Sequence, residues 1–213
     1  MRLLAHNRIE LALHELQAGV GRPLLLLHGL GEQAPAQLPA EVAGWPGPVL
    51  ALDFTGHGRS TVPTGGGYSA ELLMADVDVV LADIGQATLL GRGLGAYVAV
   101  LTAGARPDLV RGAVLDDGPG LFGGGTGPTS ARIAIAHPDH VGPPDPYALL
   151  ELSGDVRPPD YAATYARHAV ERSGLDRPLA VVASARPPWL VAVMESLVLT
   201  PTTVPEALAR YAG

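Results

Sequence analysis

LLGRGLGAYVAV, residues 89–100, decides the reading of this chain. Leu89 and Leu90 close a short apolar run. Gly91, Gly93 and Gly95 then recur at every second position, and an unbroken apolar stretch rich in alanine and valine follows. A strand that passes through a sharp glycine turn into a helix has this pattern. The residue at the centre of the turn, Gly93, carries no side chain.

Working outward, strand-length and helix-length patterns alternate. IELALHEL (9–16) alternates apolar and polar residues, as a half-buried edge strand would. RPLLLLHG (22–29) and GPVLALDFTGHG (47–58) are continuous apolar runs that end in glycine, the signature of strands buried on both faces. SAELLMADVDVVLADIG (69–85) sets Leu72, Leu73, Val77, Val80, Leu81 and Ile84 at helical spacing, with Ser69 as N-cap and Gly85 as the stop. QATLLGRG (86–93) reads as a strand, LGAYVAVLTAGARPDLV (94–110) as a helix and RGAVLDDGPG (111–120) as the next strand. Such alternation predicts right-handed crossovers, a mostly parallel central sheet and helices on both of its faces. Ligands gather at the carboxyl ends of such strands, where the opening stretch lies.

From 119 to 160 the texture changes. PGLFGGGTGPTS (119–130) and HPDHVGPPDPY (137–147) are too rich in Gly and Pro for long regular elements, so this segment is expected to be a short lid over the strand ends. PPDYAATYARHAVERSG (158–174) reads as a helix, RPLAVVASA (177–185) as a strand and PPWLVAVMES (187–196) as a short helix. SLVLT (196–200) reads as a last strand and VPEALARYAG (204–213) as the closing helix. One domain over residues 1–213 accommodates all of this.

Composition narrows the function classes. The chain is 47% hydrophobic and 16% charged, its mean hydropathy is +0.24, and its net charge is −7. That balance argues against nucleic acid or an anionic membrane as partner. All fourteen basic residues are arginine, and they cluster nowhere. There is no cysteine, which excludes disulfides and thiolate-bound metals. His6, Asn7 and Arg8 interrupt the N-terminal apolar run, and no run reaches the roughly 20 residues that span a bilayer. A cytoplasmic protein without a cofactor is the expectation.

Three pieces in order resemble the α/β-hydrolase family, in a compact bacterial form. LLLLHGLGE with His28 and Gly29 resembles its HG loop, LDFTGHGRS (52–60) its D-x-x-G-H-G-x-S loop, and GRGLG (91–95) its nucleophile elbow G-x-S-x-G. The closing PEALARYAG adds to the likeness, which covers most of the chain. The resemblance implies a strained elbow that presents a serine oxygen. Here Gly93 holds that place, and neither Arg92 nor Leu94 replaces the nucleophile. The resemblance also implies an acid after the strand LAVVAS, where Ser184, Arg186 and Pro187 stand. It implies a histidine before the last helix, where Thr200, Thr202 and Thr203 stand, and the last histidine of the chain is His168. Nucleophile, acid and base are thus missing together.

What the resemblance leaves is binding apparatus. Two backbone N–H groups, of Leu30 and Leu94, form its oxyanion hole, and without a serine the cavity is expected to be larger. His28, Gly29, Leu30, Arg92, Gly93, Leu94 and Trp189 are the expected ligand-lining residues. Asp116 and Asp117 are read either as a relic acid or as a turn. His57 is read as a loop brace and Tyr97 as core or pocket wall. His137, Asp139 and His140 have no distant partner for a metal. The expected function is non-hydrolytic binding of a small apolar, carbonyl or carboxylate ligand, or of a protein. The alternatives are a lyase- or isomerase-like enzyme of atypical mechanism, or an ester hydrolase using a displaced serine such as Ser130, Ser153 or Ser184.

Overall fold

The computed structural model describes residues 1–121, 142–153 and 157–213. Its centre is a seven-stranded sheet in the order β1-β2-β4-β3-β5-β6-β7. The strands are β1 (Arg2–His6), β2 (Ile9–Gln17), β3 (Leu24–Leu27), β4 (Val49–Leu52), β5 (Ala87–Arg92), β6 (Val110–Asp116) and β7 (Leu179–Val181). From β4 to β7 every pairing is parallel, and β1 and β2 form an antiparallel hairpin on the β4 side. The LLLL of β3 and the VLAL of β4 are buried at every position, because helices or loops cover both faces of the sheet.

Side-chain alternation along the strands divides the core in two. Leu25, Leu27, Leu89 and Leu115 face α1 (Ala70–Ile84), α2 (Leu94–Ala105), α4 (Asp160–Arg172) and α5 (Pro188–Leu197). Leu24, Leu26, Leu90 and Val114 face the other way, toward a single 3-10 turn at Ala40–Val42 and α6 (Val204–Tyr211). Ser69 caps α1 by accepting from the Leu72 amide at 3.2 Å, and Gly85 ends it at φ 78°. α2 is buried nearly all round, so it runs as a central helix between the sheet, α1 and α4. α3 (Pro146–Ser153) is a short helix within the Gly/Pro-rich segment. Asp145 ties it to the core, donating its amide to Gly56 O at 2.8 Å and accepting from the Tyr68 hydroxyl at 2.6 Å.

Two expectations are corrected. IELALHEL is not the edge: Arg2–His6 pairs outside it, from Arg2↔Leu13 to His6↔Ile9, and takes the edge position instead. The last strand at 196–200 does not form. α5 claims the apolar residues through Leu197, then Val198 adopts φ 52° and the Leu199 amide returns to Met194 O at 2.9 Å. That C-cap reverses the chain before it reaches the sheet. Thr202 N to Val181 O, at 2.9 Å, is the backbone bond that remains there. No helix among the described residues is long and apolar enough to cross a membrane.

Candidate functional site at the glycine elbow

Gly93 stands between the last residue of β5 and the first of α2, at φ 51° and ψ −109°. Residues with a Cβ visit that combination rarely and at a cost of roughly 1–3 kcal/mol. Glycine removes the cost. It also removes a collision, because a Cβ at 93 would lie 2.5 Å from the Gly118 carbonyl and closer still to Pro119 O. The chain leaving β6, Gly118-Pro119-Gly120, runs directly over the elbow.

That crossing decides what the elbow can do. The Leu30 amide donates to Pro119 O at 2.7 Å, and the Leu94 amide donates to the same oxygen at 3.0 Å. These are the two donors of the expected oxyanion hole, and a carbonyl of the chain itself satisfies both. The contact is close enough to demand small residues. A Cβ on Gly29 would meet Pro119 Cδ at 2.7 Å, and one on Gly120 would fall on the Leu94 amide nitrogen. Among the described residues, the larger, permissive cavity expected above Gly93 is therefore absent. The hollow at the elbow, between Gly93, Asp116, Leu121 and Trp189, has a volume of about 30 Å³. That is room for about one water molecule.

The flanks hold this arrangement in place. The Trp189 indole N–H donates to Leu121 O at 2.8 Å, and its buried ring meets Tyr97 edge-on at 5.2 Å. Trp189 thus anchors the covering segment instead of lining open space. Asp117 accepts from the amides of Ser184 at 2.7 Å and Ala185 at 2.8 Å, which caps the loop after β7. Asp116 takes the Asp117 amide on Oδ1 at 2.8 Å. Its carboxyl is pushed above the usual range, first by burial and further by the charges of Asp117 and Glu41, against Arg92 and the amide bond. Among the described residues no histidine is bonded to either carboxylate.

The histidines brace loops. His28 Nε2 accepts from the Phe54 amide at 3.1 Å, so Nδ1 carries the proton and donates to Gly29 O at 2.8 Å. Burial, with His57 beside it, pushes the His28 ring down to about 3. His57 likewise accepts from the Gly31 amide at 3.2 Å and donates to Thr55 O at 3.1 Å, and burial lowers its pKa. Arg92 is a strap: Nε donates to Asp117 O at 3.2 Å and Nη1 to Glu32 at 3.1 Å, while Glu32 also accepts from the Gly29 amide at 3.0 Å. Ser153 donates to Leu150 O, and Ser184 meets Asp117 through its amide. Ser130, His137, Asp139 and His140 lie outside the described residues.

From sequence, Pro119 reads only as part of a turn with Asp116, Asp117 and Gly118, and Glu32 carries no distinct signal. The available signal was DDGPG itself, a proline between two glycines directly after a strand, which also reads as an ordinary turn.

Comparison with known proteins agrees with this geometry at the level of fold. A family model described as "Alpha/beta hydrolase family" matches residues 24–213. An (E)-2-((N-methylformamido)methylene)succinate hydrolase of Acinetobacter baylyi is 33% identical over 110 residues, which are 51% of this chain and 41% of that protein. An esterase of Mycobacterium tuberculosis is 34% identical over 109 residues, 50% of this chain and 36% of that one. The chain thus aligns with well under half the length of these curated relatives. Among solved structures, the thioesterase domain from the curacin biosynthetic pathway superposes with a TM-score of 0.63 at 19% identity, covering 99% of this chain and 96% of that one. A bacterial membrane phospholipase A gives 0.52 at 19% identity, covering 95% and 76%. With the sheet order, the elbow and the family match in agreement, the chain belongs to the alpha/beta hydrolase family.

Proposed function

We propose that this chain is a non-hydrolytic member of its family, a binding protein built on a hydrolase scaffold. One observation carries the reading: Pro119 O occupies the donor pair that an ester oxyanion would need. Gly93 supplies no nucleophile beneath it. Asp117, whose carboxylate meets the loop at the expected acid position, is engaged by the backbone amides of Ser184 and Ala185. The hydrolytic names of the relatives therefore describe an inherited frame, and fold alone does not confer the reaction. A mechanism without a nucleophile would still use the oxyanion donors, so the same contact argues against a lyase or isomerase reading. Between a small ligand and a protein partner, the small ligand is favoured, because a hollow of about 350 Å³ lies beside the elbow.

The test is incubation with a fluorophosphonate probe and with p-nitrophenyl acetate and butyrate. Neither adduct nor turnover above the buffer rate is expected. A stoichiometric burst with label on a serine would overturn the reading.

A further inference from the structure

The hollow of about 350 Å³ lies on the sheet face opposite α2, at the carboxyl ends of β3, β5 and β6. We propose that it is a binding site for a small organic cation with an apolar body, a primary or quaternary ammonium. The inference rests on the reading of the chain as a binding protein and names the site and the ligand class.

After β3 the described residues cover this part of the sheet with loop residues from Glu32 to Pro39 and a 3-10 turn at Ala40–Val42, with no long helix, and the hollow lies beneath them. Leu26, Leu90 and Val42 are left as an apolar floor. Its volume falls in the range of roughly 300–1,000 Å³ typical of small-molecule sites, and its position at strand carboxyl ends is where open α/β sheets take ligands. The hollow of about 460 Å³ lined by Met1, Arg2, Pro23 and Pro48 lies away from those ends.

Charge selects the ligand. Arg92, Glu32, Glu41 and Asp116 line the walls. Arg92 is committed to Glu32, with Nη1 at 3.1 and 3.3 Å from its two oxygens. Glu41 and Asp116 have no ion-pair partner among the described residues. Asp116 uses one oxygen on the Asp117 amide and has no protein donor for the other among those residues. Burial disfavours the ionised form of the half-buried Asp116 carboxylate, and the charges of Asp117 and Glu41 act in the same direction, opposed by the Asp117 amide bond and by Arg92. Surface carboxylates solvated by water would say nothing. Here they flank an apolar floor, so a cation there is paired with charge while its hydrocarbon body leaves water. An anion would have to displace Glu32 from Arg92 and sit beside two further carboxylates.

Calorimetry and chemical-shift mapping on the full chain test this, with benzylammonium and tetramethylammonium chloride as probes and benzyl alcohol and benzoate as neutral and anionic counterparts. Benzylammonium is expected to bind and to shift the methyl signals of Leu26, Val42 and Leu90. Asp116→Asn should weaken it about tenfold, as loss of a charge-assisted contact does. Glu41→Gln, at an exposed position, should weaken it about threefold without affecting folding. Benzoate or benzyl alcohol binding as tightly as benzylammonium would overturn the proposal. So would benzylammonium binding that neither variant changes, shifts confined to other residues, or no binding by any probe. Ester turnover in the same samples is a separate readout: its appearance breaks the non-hydrolytic reading, whereas its absence together with absent cation binding removes only this site.

Discussion

Restoring a side chain at the elbow should damage the fold before it restores any chemistry. In Gly93→Ala the new Cβ must occupy φ 51° and ψ −109°, at roughly 1–3 kcal/mol. It also enters the contact radius of the Gly118 and Pro119 carbonyls, so the covering segment has to retreat by about 1 Å, with a typical overpacking cost of about 1–3 kcal/mol. Retreat stretches the bonds from Leu30 and Leu94 to Pro119 O, each worth about 1 kcal/mol. These effects share one displacement and do not add fully, so a loss of about 3–5 kcal/mol is expected. For a chain of this size that corresponds to a Tm drop of roughly 6–20 °C. Urea unfolding followed by circular dichroism measures it. Gly44→Ala, where a Cβ meets nothing within 4 Å, serves as control and should stay within about 0.5 kcal/mol of the parent. Gly93→Ser should behave like Gly93→Ala and gain no esterase activity, since no histidine faces position 93 among the described residues. A Gly93→Ala protein as stable as the parent would refute the covering segment in solution. An ester burst from Gly93→Ser would refute the occupied oxyanion hole.

Asp117→Ala removes the acceptor for the Ser184 and Ala185 amides and should cost about 1–2 kcal/mol by urea midpoint; a neutral effect would mean that the loop after β7 does not depend on it. Asp76 is fully buried, and burial raises its carboxyl to about 6 despite bonds from Thr55 and His6. The native state therefore keeps a proton that the unfolded chain has released, and this group's contribution to stability falls as pH rises from about 4 to about 6, by roughly 1–3 kcal/mol. Asp76→Asn should lack that slope, and parallel pH profiles for the two proteins would contradict it. His28 has the opposite sign: its native pKa of about 3 lies below the ordinary 6.5, so its contribution is present above 6.5 and is lost as pH falls toward 3. Its ring resonances should show the Nδ1-protonated neutral tautomer with no titration between pH 5 and 8, and a midpoint near 6.5 would remove its assigned role as a loop brace.

Local chemistry carried much of the fold in plain view. Runs such as LLLL and VLAL can be satisfied only between two covered faces, which makes a parallel sheet legible from residues 24–27 and 49–52. Ser69 and Gly85 mark a helix because capping is decided within four residues. The glycine spacing at 91, 93 and 95 marks the elbow because backbone conformation there is a local property. The edge strand was less legible: RLLAH is neither a continuous apolar run nor a clean alternation, and its place depends on pairing with β2. The SLVLT run failed for a similar reason, since helix α5 and a strand compete for the same apolar residues and the C-cap at Val198 decides between them.

The site divides along the same line. That position 93 is glycine is a fact of sequence alone, whereas the positions expected to lack an acid and a histidine follow from the resemblance. That one carbonyl takes the amides of both Leu30 and Leu94 belongs to the tertiary structure. Leu30, Leu94 and Pro119 come from three separate segments, and only their convergence at 2.7 and 3.0 Å turns a spare binding nest into a closed joint. Hydrogen bonds between residues distant in sequence leave no periodic trace, and their partners can be identified only once the sheet has brought them together.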